Sequence, residues 1–251
     1  MEKITLKQIQ AAKSKRQKMT MLTAYDHPFA KILDEAGVDI ILIGDSLGNV
    51  ALGYKNTLPV TMEEMVIHAK AVARGTRRAL VVADMPFGSY QKNDEEAVGN
   101  AIKLIKAGVN AVKVEGSGYL PAIKKIIKAG IPVMGHLGFT PQSVNLIGCR
   151  VQGVGSREEK RLLKEAKELE KAGCFALVLE LIPEKLASKI TKSVKIPTFG
   201  IGAGNKTDGQ VLVTNDLLGL NDWQPKFVKP EANLRQISFK AIKIFIYRSI
   251  G

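Results

Sequence analysis

The feature that most constrains this chain is an alternation of short apolar runs with segments of helical periodicity. The runs read as strands over 19–26, 40–46, 79–86, 111–116, 132–138, 176–182 and 197–204, with the eighth at 225–229. Between and after them lie FAKILDEAG, TMEEMVIHAKAVARG, EEAVGNAIKLIKAG, PAIKKIIKAG, REEKRLLKEAKELEKAG, PEKLASKI, GQVLVTNDLLG and ANLRQISFKAIKIFIYRSI, which read as helices. Runs such as Ile40–Ile43 lack the polar alternation of a half-solvated sheet, as parallel strands buried on both faces do. Gly37, Gly75, Gly108, Gly130 and Gly173 follow helical patterns, where a helix end favours glycine. Thr61 with Glu64, and Ser156 with Glu159, have capping-box spacing at two helix starts.

Eight such units predict an α/β fold, a (β/α)8 TIM barrel, as one domain over 1–251 with a helical lead-in and a C-terminal helix. A chain of 251 residues that is 45% hydrophobic can fill one such core. The competing doubly wound sheet needs a dinucleotide or phosphate loop near the first strand, and neither pattern occurs; GIGAG at 200–204 has the wrong spacing. The stretch FTPQSVNLIGCRVQGVG is longer than an ordinary connection and is expected to be a functional loop.

The net charge of +13 raises the question of nucleic acid. The lysines are spread through helical patterns among acids and apolar residues, with no recognition motif, so nucleic-acid binding is not expected. No run reaches the length of a membrane span and the start lacks an apolar signal core, so a cytoplasmic protein without membrane contact is expected. Cys149 and Cys174 have no metal-ligand spacing and read as reduced structural residues.

In a barrel the polar residues at the strand ends converge on one mouth, the C-terminal face where active sites lie. Those residues are Asp45, Asp84, Lys113, Glu115, His136 and Glu180. Lys113 and Glu115 are two apart and share a face, which leaves Val112 and Val114 for the helices. Each residue has a plainer reading: a helix cap for Asp45 or Asp84, a buried ion pair for Lys113 and Glu115, a core imidazole for His136, a rim charge for Glu180. Taken together, clustered carboxylates without cysteine or paired histidine suit an oxygen-loving cation such as Mg2+. The chemistry this implies is metal-assisted proton abstraction or carbon–carbon bond formation on a small anion.

Several blocks carry a resemblance: TAYDHPFAKILDEAGVDIILIGDSLG, TLPVTMEEMVIHAKAVARG, ADMPFGSY, AVKVEG, IPVMGHLGFTPQSVN, VQG, LVLELIP and IPTFGIGAGNKTDGQVLV. In order and with few gaps from 19 to 229, they resemble the ketopantoate (3-methyl-2-oxobutanoate) hydroxymethyltransferase family of pantothenate synthesis. GHLGFTPQSVN and GIGAGNKTDGQ are the specific ones, and the stretch NLIGCRVQG is slightly shorter than usual. The resemblance implies a (β/α)8 barrel, Mg2+, and transfer of a one-carbon unit from 5,10-methylenetetrahydrofolate to 3-methyl-2-oxobutanoate. It implies Asp45, Asp84 and Glu115 as the metal site, Asp45, Ser46, Asp84 and Lys113 for substrate, and Glu180 as proton acceptor. His136 is assigned to orienting substrate. It also implies a large homo-oligomer, with a decamer as one candidate size. The alternatives are a metal-dependent carbon–carbon lyase or mutase working through the enolate of a 2-oxo acid and, outside enzymes, a basic RNA- or DNA-binding protein.

Overall fold

The computed structural model describes residues 2–250. Eight parallel strands close a barrel in chain order: β1 (Met19–Thr23), β2 (Ile40–Ile43), β3 (Leu80–Asp84), β4 (Ala111–Glu115), β5 (Val133–Gly138), β6 (Ala176–Glu180), β7 (Thr198–Ile201) and β8 (Gly209–Leu212). Closure is marked by the Met19 N–H, which donates to the Asp208 carbonyl at 3.2 Å. The helices are α1 (Leu6–Ser14), α2 (His27–Glu35), α3 (Leu47–Val50), α4 (Met62–Gly75), α5 (Asp94–Lys106), α6 (Leu120–Lys128), α7 (Val144–Ile147), α8 (Ser156–Ala172), α9 (Glu184–Ser193), α10 (Thr214–Leu217) and α11 (Leu234–Ile250). The chain falls into two compact units that meet in sequence at Val211 and Leu212. In the second, the Glu231 and Leu234 N–H groups donate to the carbonyls of Leu217 and Leu218.

Period two decides where each strand residue goes. Ile41, Ile43, Val81, Ala83, Val112, Val114, Leu177 and Leu179 pack with the helices, against Leu33, Met65, Leu104, Ile126 and Leu169. The alternate residues Ile40, Leu42, Leu80, Val82, Ala111, Met134, Ala176 and Val178 fill the barrel with Met21 and Phe199. Ile9 and Ala12 of α1 belong to this inner cluster, so the expected helical lead-in closes one end of it. Toward the other end the inward positions turn polar as Asp84, Lys113, Glu115, His136 and Glu180.

The eighth strand is a correction. Gly209–Leu212, read from sequence as part of a helical pattern, pairs with β7 through Phe199 and Gly209 and through Gly200 and Gln210. Its short apolar run fits either periodicity, and the alternation that decides is visible only in place, with Gly209 and Val211 buried and Gln210 exposed. Segment 225–229 is instead a turn, in which Pro225 lacks an N–H, the Val228 N–H donates to the Pro225 carbonyl and Phe227 is exposed.

Two end signals also resolve differently. Thr61 and Glu64 form the expected capping box on α4. At α8 the cap is Gly155, with no side-chain bond from Ser156, because Glu158 instead accepts from the Gly153 and Val154 N–H groups. Gly75 lies inside α4 as a contact glycine, where a Cβ would stand 2.6 Å from the His27 carbonyl oxygen.

A Cβ on Gly209 would come within 2.6 Å of the Phe199 ring and 2.7 Å of the Met19 carbonyl oxygen. Gly209→Ala is therefore expected to destabilise the barrel by about 1–3 kcal/mol, because one of the neighbours is backbone and cannot swing aside. Phe227→Ala should shift the denaturant midpoint by less than about 0.5 kcal/mol equivalent. The reverse ranking in urea unfolding would return the eighth strand to 225–229.

Candidate active site

The mouth of the barrel collects six charged side chains from five successive strands and their ends. The backbone first has to aim Asp45. Inward positions on β2 are Ile40 and Leu42, so a continued strand would put residue 45 on the helix side. The strand stops at Ile43 and the chain turns, with the Leu47 N–H bonded to the Gly44 carbonyl and the Gly48 N–H to that of Asp45. Gly44 permits the turn, since a Cβ there would lie 2.6 Å from Ser46 Oγ. Asp45 thereby ends buried beside Asp84, whose Oδ2 accepts from the Asp45 N–H at 3.0 Å.

Lys113 stands at the centre of the cluster. Its Nζ is 3.0 Å from Asp84 Oδ1, 3.8 Å from Glu115 Oε1 and 3.2 Å from His136 Nδ1. His136 Nδ1 also lies 3.3 Å from Glu115 Oε1, and Nε2 lies 3.2 Å from Glu180 Oε2. Nδ1 thus lies between Lys113 and Glu115, while Nε2 faces Glu180 without an aligned hydrogen bond. The Glu180 side chain keeps 18% of its surface open, whereas the other members keep 5% or less. Ser46 stands to one side, its Oγ 2.8 Å from Tyr25 Oη.

Burial and mutual charge set the protonation of the cluster. Burial, with Asp84 and Glu115 beside it, pushes the Asp45 carboxyl well above the usual carboxylate range. Burial and Glu115 also raise Asp84, although Lys113 opposes them. Glu115 is lowered: burial would raise it, but contacts from His136 and Lys113 outweigh that. For Lys113, burial alone would favour loss of the proton, and the charges of Asp84, Glu115 and Asp45 override it and hold the ammonium. Burial and Lys113 push His136 down, but the Glu115 and Glu180 carboxylates outweigh them and raise it to about 9.

Two residues that sequence reading passed over tie the site together. Gln142, in a 3₁₀ turn at Pro141–Ser143, donates from Nε2 to Asp45 Oδ2 at 2.8 Å and to the Met85 carbonyl at 2.9 Å. Its N–H donates to Glu115 Oε2 at 2.9 Å. Tyr90 donates its hydroxyl to Gln142 Oε1 at 2.7 Å and packs edge-on against Tyr119. The signal for Gln142 was its place in the long loop after β5, with proline setting up the turn. Tyr90, on the loop after β3, carried only its place at the end of the block ADMPFGSY.

Asp45 and Asp84 fit a hard divalent cation. They are adjacent, supply only oxygen, and are raised by burial that such a charge would offset. Asp84 Oδ1 meets Lys113 as an ion pair but without an aligned hydrogen bond, which leaves acceptor capacity buried there. Among the described residues no three His, Cys, Asp or Glu side chains stand ready together as a ligand set. Glu115, expected as the third metal acid, is turned toward His136, Lys113 and the Gln142 N–H. Cys174 is buried, which pushes its thiol up to about 12, while Cys149 is exposed.

The family model for ketopantoate hydroxymethyltransferase matches residues 3–249. The chain belongs to that family. It is 56% identical over 233 residues to the 3-methyl-2-oxobutanoate hydroxymethyltransferase of Thermotoga maritima, covering 92% of this chain and 86% of that protein. The same enzyme of Caldicellulosiruptor saccharolyticus is 53% identical over 249 residues, with 98% and 94% covered. The chain is thus an enzyme, a hydroxymethyltransferase, and the lyase or mutase alternative gives way. Among solved structures, a phosphonopyruvate hydrolase in complex with oxalate and Mg2+ has a TM-score of 0.66 at 15% identity, covering 98% of this chain and 87% of that one. A phosphoenolpyruvate phosphomutase from Streptomyces platensis subsp. rosaceus has 0.68 at 14%, with 96% and 88% covered. These two share the barrel.

Removing one member of a buried charge set leaves the others uncompensated. Lys113→Met is expected to cost about 3–5 kcal/mol of stability at neutral pH in the ligand-free protein. Without the ammonium, Asp45 and Asp84 lie further above their unfolded values, so the folded state binds more protons than the unfolded one and the deficit shrinks as pH falls. Urea unfolding at pH 5 and pH 8 reads this directly. A variant equally stable at both would mean that Lys113 does not compensate the acids.

Proposed function

We propose that this hydroxymethyltransferase moves a one-carbon unit from 5,10-methylenetetrahydrofolate to C3 of 3-methyl-2-oxobutanoate, giving 2-dehydropantoate for pantothenate synthesis. The observation that carries the reading is the pairing of a part-exposed carboxylate, Glu180, with a buried charge cluster. Only Glu180 is open enough to reach a substrate carbon, and the His136 imidazole holds it from behind. Asp45 and Asp84 are the residues that would hold Mg2+, with Glu115 adding negative charge from the far side of Lys113. When bound, the cation supplies Lewis acidity toward the keto and carboxylate oxygens of the substrate.

Glu180 takes the C3 proton of the substrate as a general base. His136, whose Nε2 stands 3.2 Å from Glu180 Oε2, helps to aim that carboxylate. Lys113 stabilises the negative charge that moves onto the substrate oxygen as the enolate forms, in a place where burial makes its charge count for more. Ser46, beside Asp45 and braced by Tyr25, offers a hydroxyl to the substrate carboxylate. C3 then takes the one-carbon unit, water supplies the new hydroxyl oxygen, and tetrahydrofolate leaves.

The same reading includes a cytoplasmic homo-oligomer acting on small molecules, without nucleic acid. No helix among the described residues is long and apolar enough to cross a membrane. In the C-terminal unit, α11 buries none of its residues and exposes Ile237, Phe239, Ile242, Phe245 and Tyr247, apolar surface that suits a second copy of the chain.

Two outcomes test the chemistry. Glu180→Gln keeps size and hydrogen bonding but removes the basic site, so exchange of the C3 hydrogen in D2O, with Mg2+ and without folate, should slow by about 10²–10⁴-fold. Equal exchange in both proteins places the base elsewhere. Asp45→Asn and Asp84→Asn should each raise the Mg2+ concentration needed for half-maximal turnover while leaving the circular dichroism spectrum unchanged. Wild-type activity at limiting Mg2+ in both variants would remove the metal assignment.

A further inference from the structure

Among the acids of the cluster, Asp45 is the one whose charge is least offset by a cation within the protein. Its Oδ2 accepts from Gln142 Nε2 at 2.8 Å, a neutral donor. A glutamine amide can turn over, exchanging oxygen for nitrogen and presenting an acceptor where a donor stood. At this position the turned form would set an oxygen against a buried carboxylate.

The neighbours forbid that form from both ends. The Glu115 backbone N–H, which can only donate, points to Tyr90 Oη at 3.3 Å. The Tyr90 hydroxyl proton is therefore directed onward, to Gln142 Oε1 at 2.7 Å. The Gln91 amide adds a donor to the same oxygen at 3.3 Å. On the other side, the Met85 carbonyl can only accept and takes a proton from Gln142 Nε2 at 2.9 Å. A backbone donor and a backbone acceptor thus polarise the chain Glu115 N–H, Tyr90, Gln142, Asp45. The Gln142 N–H in turn holds Glu115 Oε2, so one residue fixes carboxylates on two different strand ends.

We propose that Tyr90 and Gln142 are a paired positioning device for the cation site, in which Tyr90 fixes the direction of the Gln142 amide and the amide fixes the Asp45 carboxylate. Each acts through its neighbour. The device rests on the reading of Asp45 and Asp84 as cation-binding residues.

The test measures binding of Mn2+ alone to the full chain by electron paramagnetic resonance, in a double-mutant cycle. Tyr90→Phe and Gln142→Met should each weaken Mn2+ binding by about 10–100-fold, the range for partners that orient metal ligands. In the Gln142→Met background, Tyr90→Phe should have no further effect, since there is no amide left to orient. Loss of packing alone would make the two effects add, and that result overturns the device, as does unchanged binding in Tyr90→Phe. Failure of the wild type to bind Mn2+ overturns the cation reading itself, and the device falls with it. Turnover need not be measured for any of these outcomes, so the one-carbon transfer stands or falls separately.

Discussion

The Lys113 ammonium is the interaction on which the mouth of the barrel depends. Asp45, Asp84, Glu115 and Lys113 are all buried, and four such charges persist in a protein interior only when each finds an opposite or a hydrogen bond. Lys113 meets Asp84 at 3.0 Å and Glu115 at 3.8 Å, and so joins acids from two neighbouring strands. The balance is incomplete: three buried carboxylates face the Lys113 ammonium and the raised His136 ring, and Asp45 is the acid with no ion pair of its own. A site with that residue of charge is destabilised when empty and stabilised by a cation. Stability and function therefore pull against each other at the same atoms.

Strand periodicity made most of this legible. Lys113 and Glu115 two apart, with Val112 and Val114 between and beside them, predicted one charged inward face and one apolar outward face, and the two clusters divide on those lines. Seven of the eight strands lie inside their predicted ranges, because buried parallel strands carry dense aliphatic runs. The eighth was missed because four residues with one glycine carry too little pattern, and what selects them is the tight approach of Gly209 to Phe199 and Met19. Asp45 was assigned to the mouth by resemblance and by its place at a strand end, while the turn at Gly44 that brings it there has no periodic signature.

Gln142 and Tyr90 show a different limit. Hydrogen-bond hubs are made by convergence of distant segments, and residues 90, 115 and 142 are joined only by the fold. A neutral amide also escapes a search organised around charge. Yet it is the neutral residue that can contact Asp45 without cancelling the charge a cation needs, where a second lysine would neutralise the site and a carboxylate would repel. The chemistry that hides Gln142 in the sequence is the chemistry that suits it to the place.

The exit of β6 carries the last constraint. Leu181 follows Glu180 with φ at 46°, a left-handed backbone that a leucine adopts at a cost of about 1–2 kcal/mol. Three backbone bonds hold it there: the Leu181 N–H to the Ile201 carbonyl, the Gln152 N–H to the Leu181 carbonyl, and the Phe139 N–H to the Glu180 carbonyl. Across from it, Gly138 brings β5 so close that a Cβ would stand 2.1 Å from the Glu180 carbonyl oxygen. The chain is thus clamped from both neighbouring strands at the residue after Glu180, and the strain is held by bonds that do not involve the carboxylate at all. That separation lets Glu180 keep the one part-open acid position in the cluster while its backbone stays as fixed as the buried strands around it.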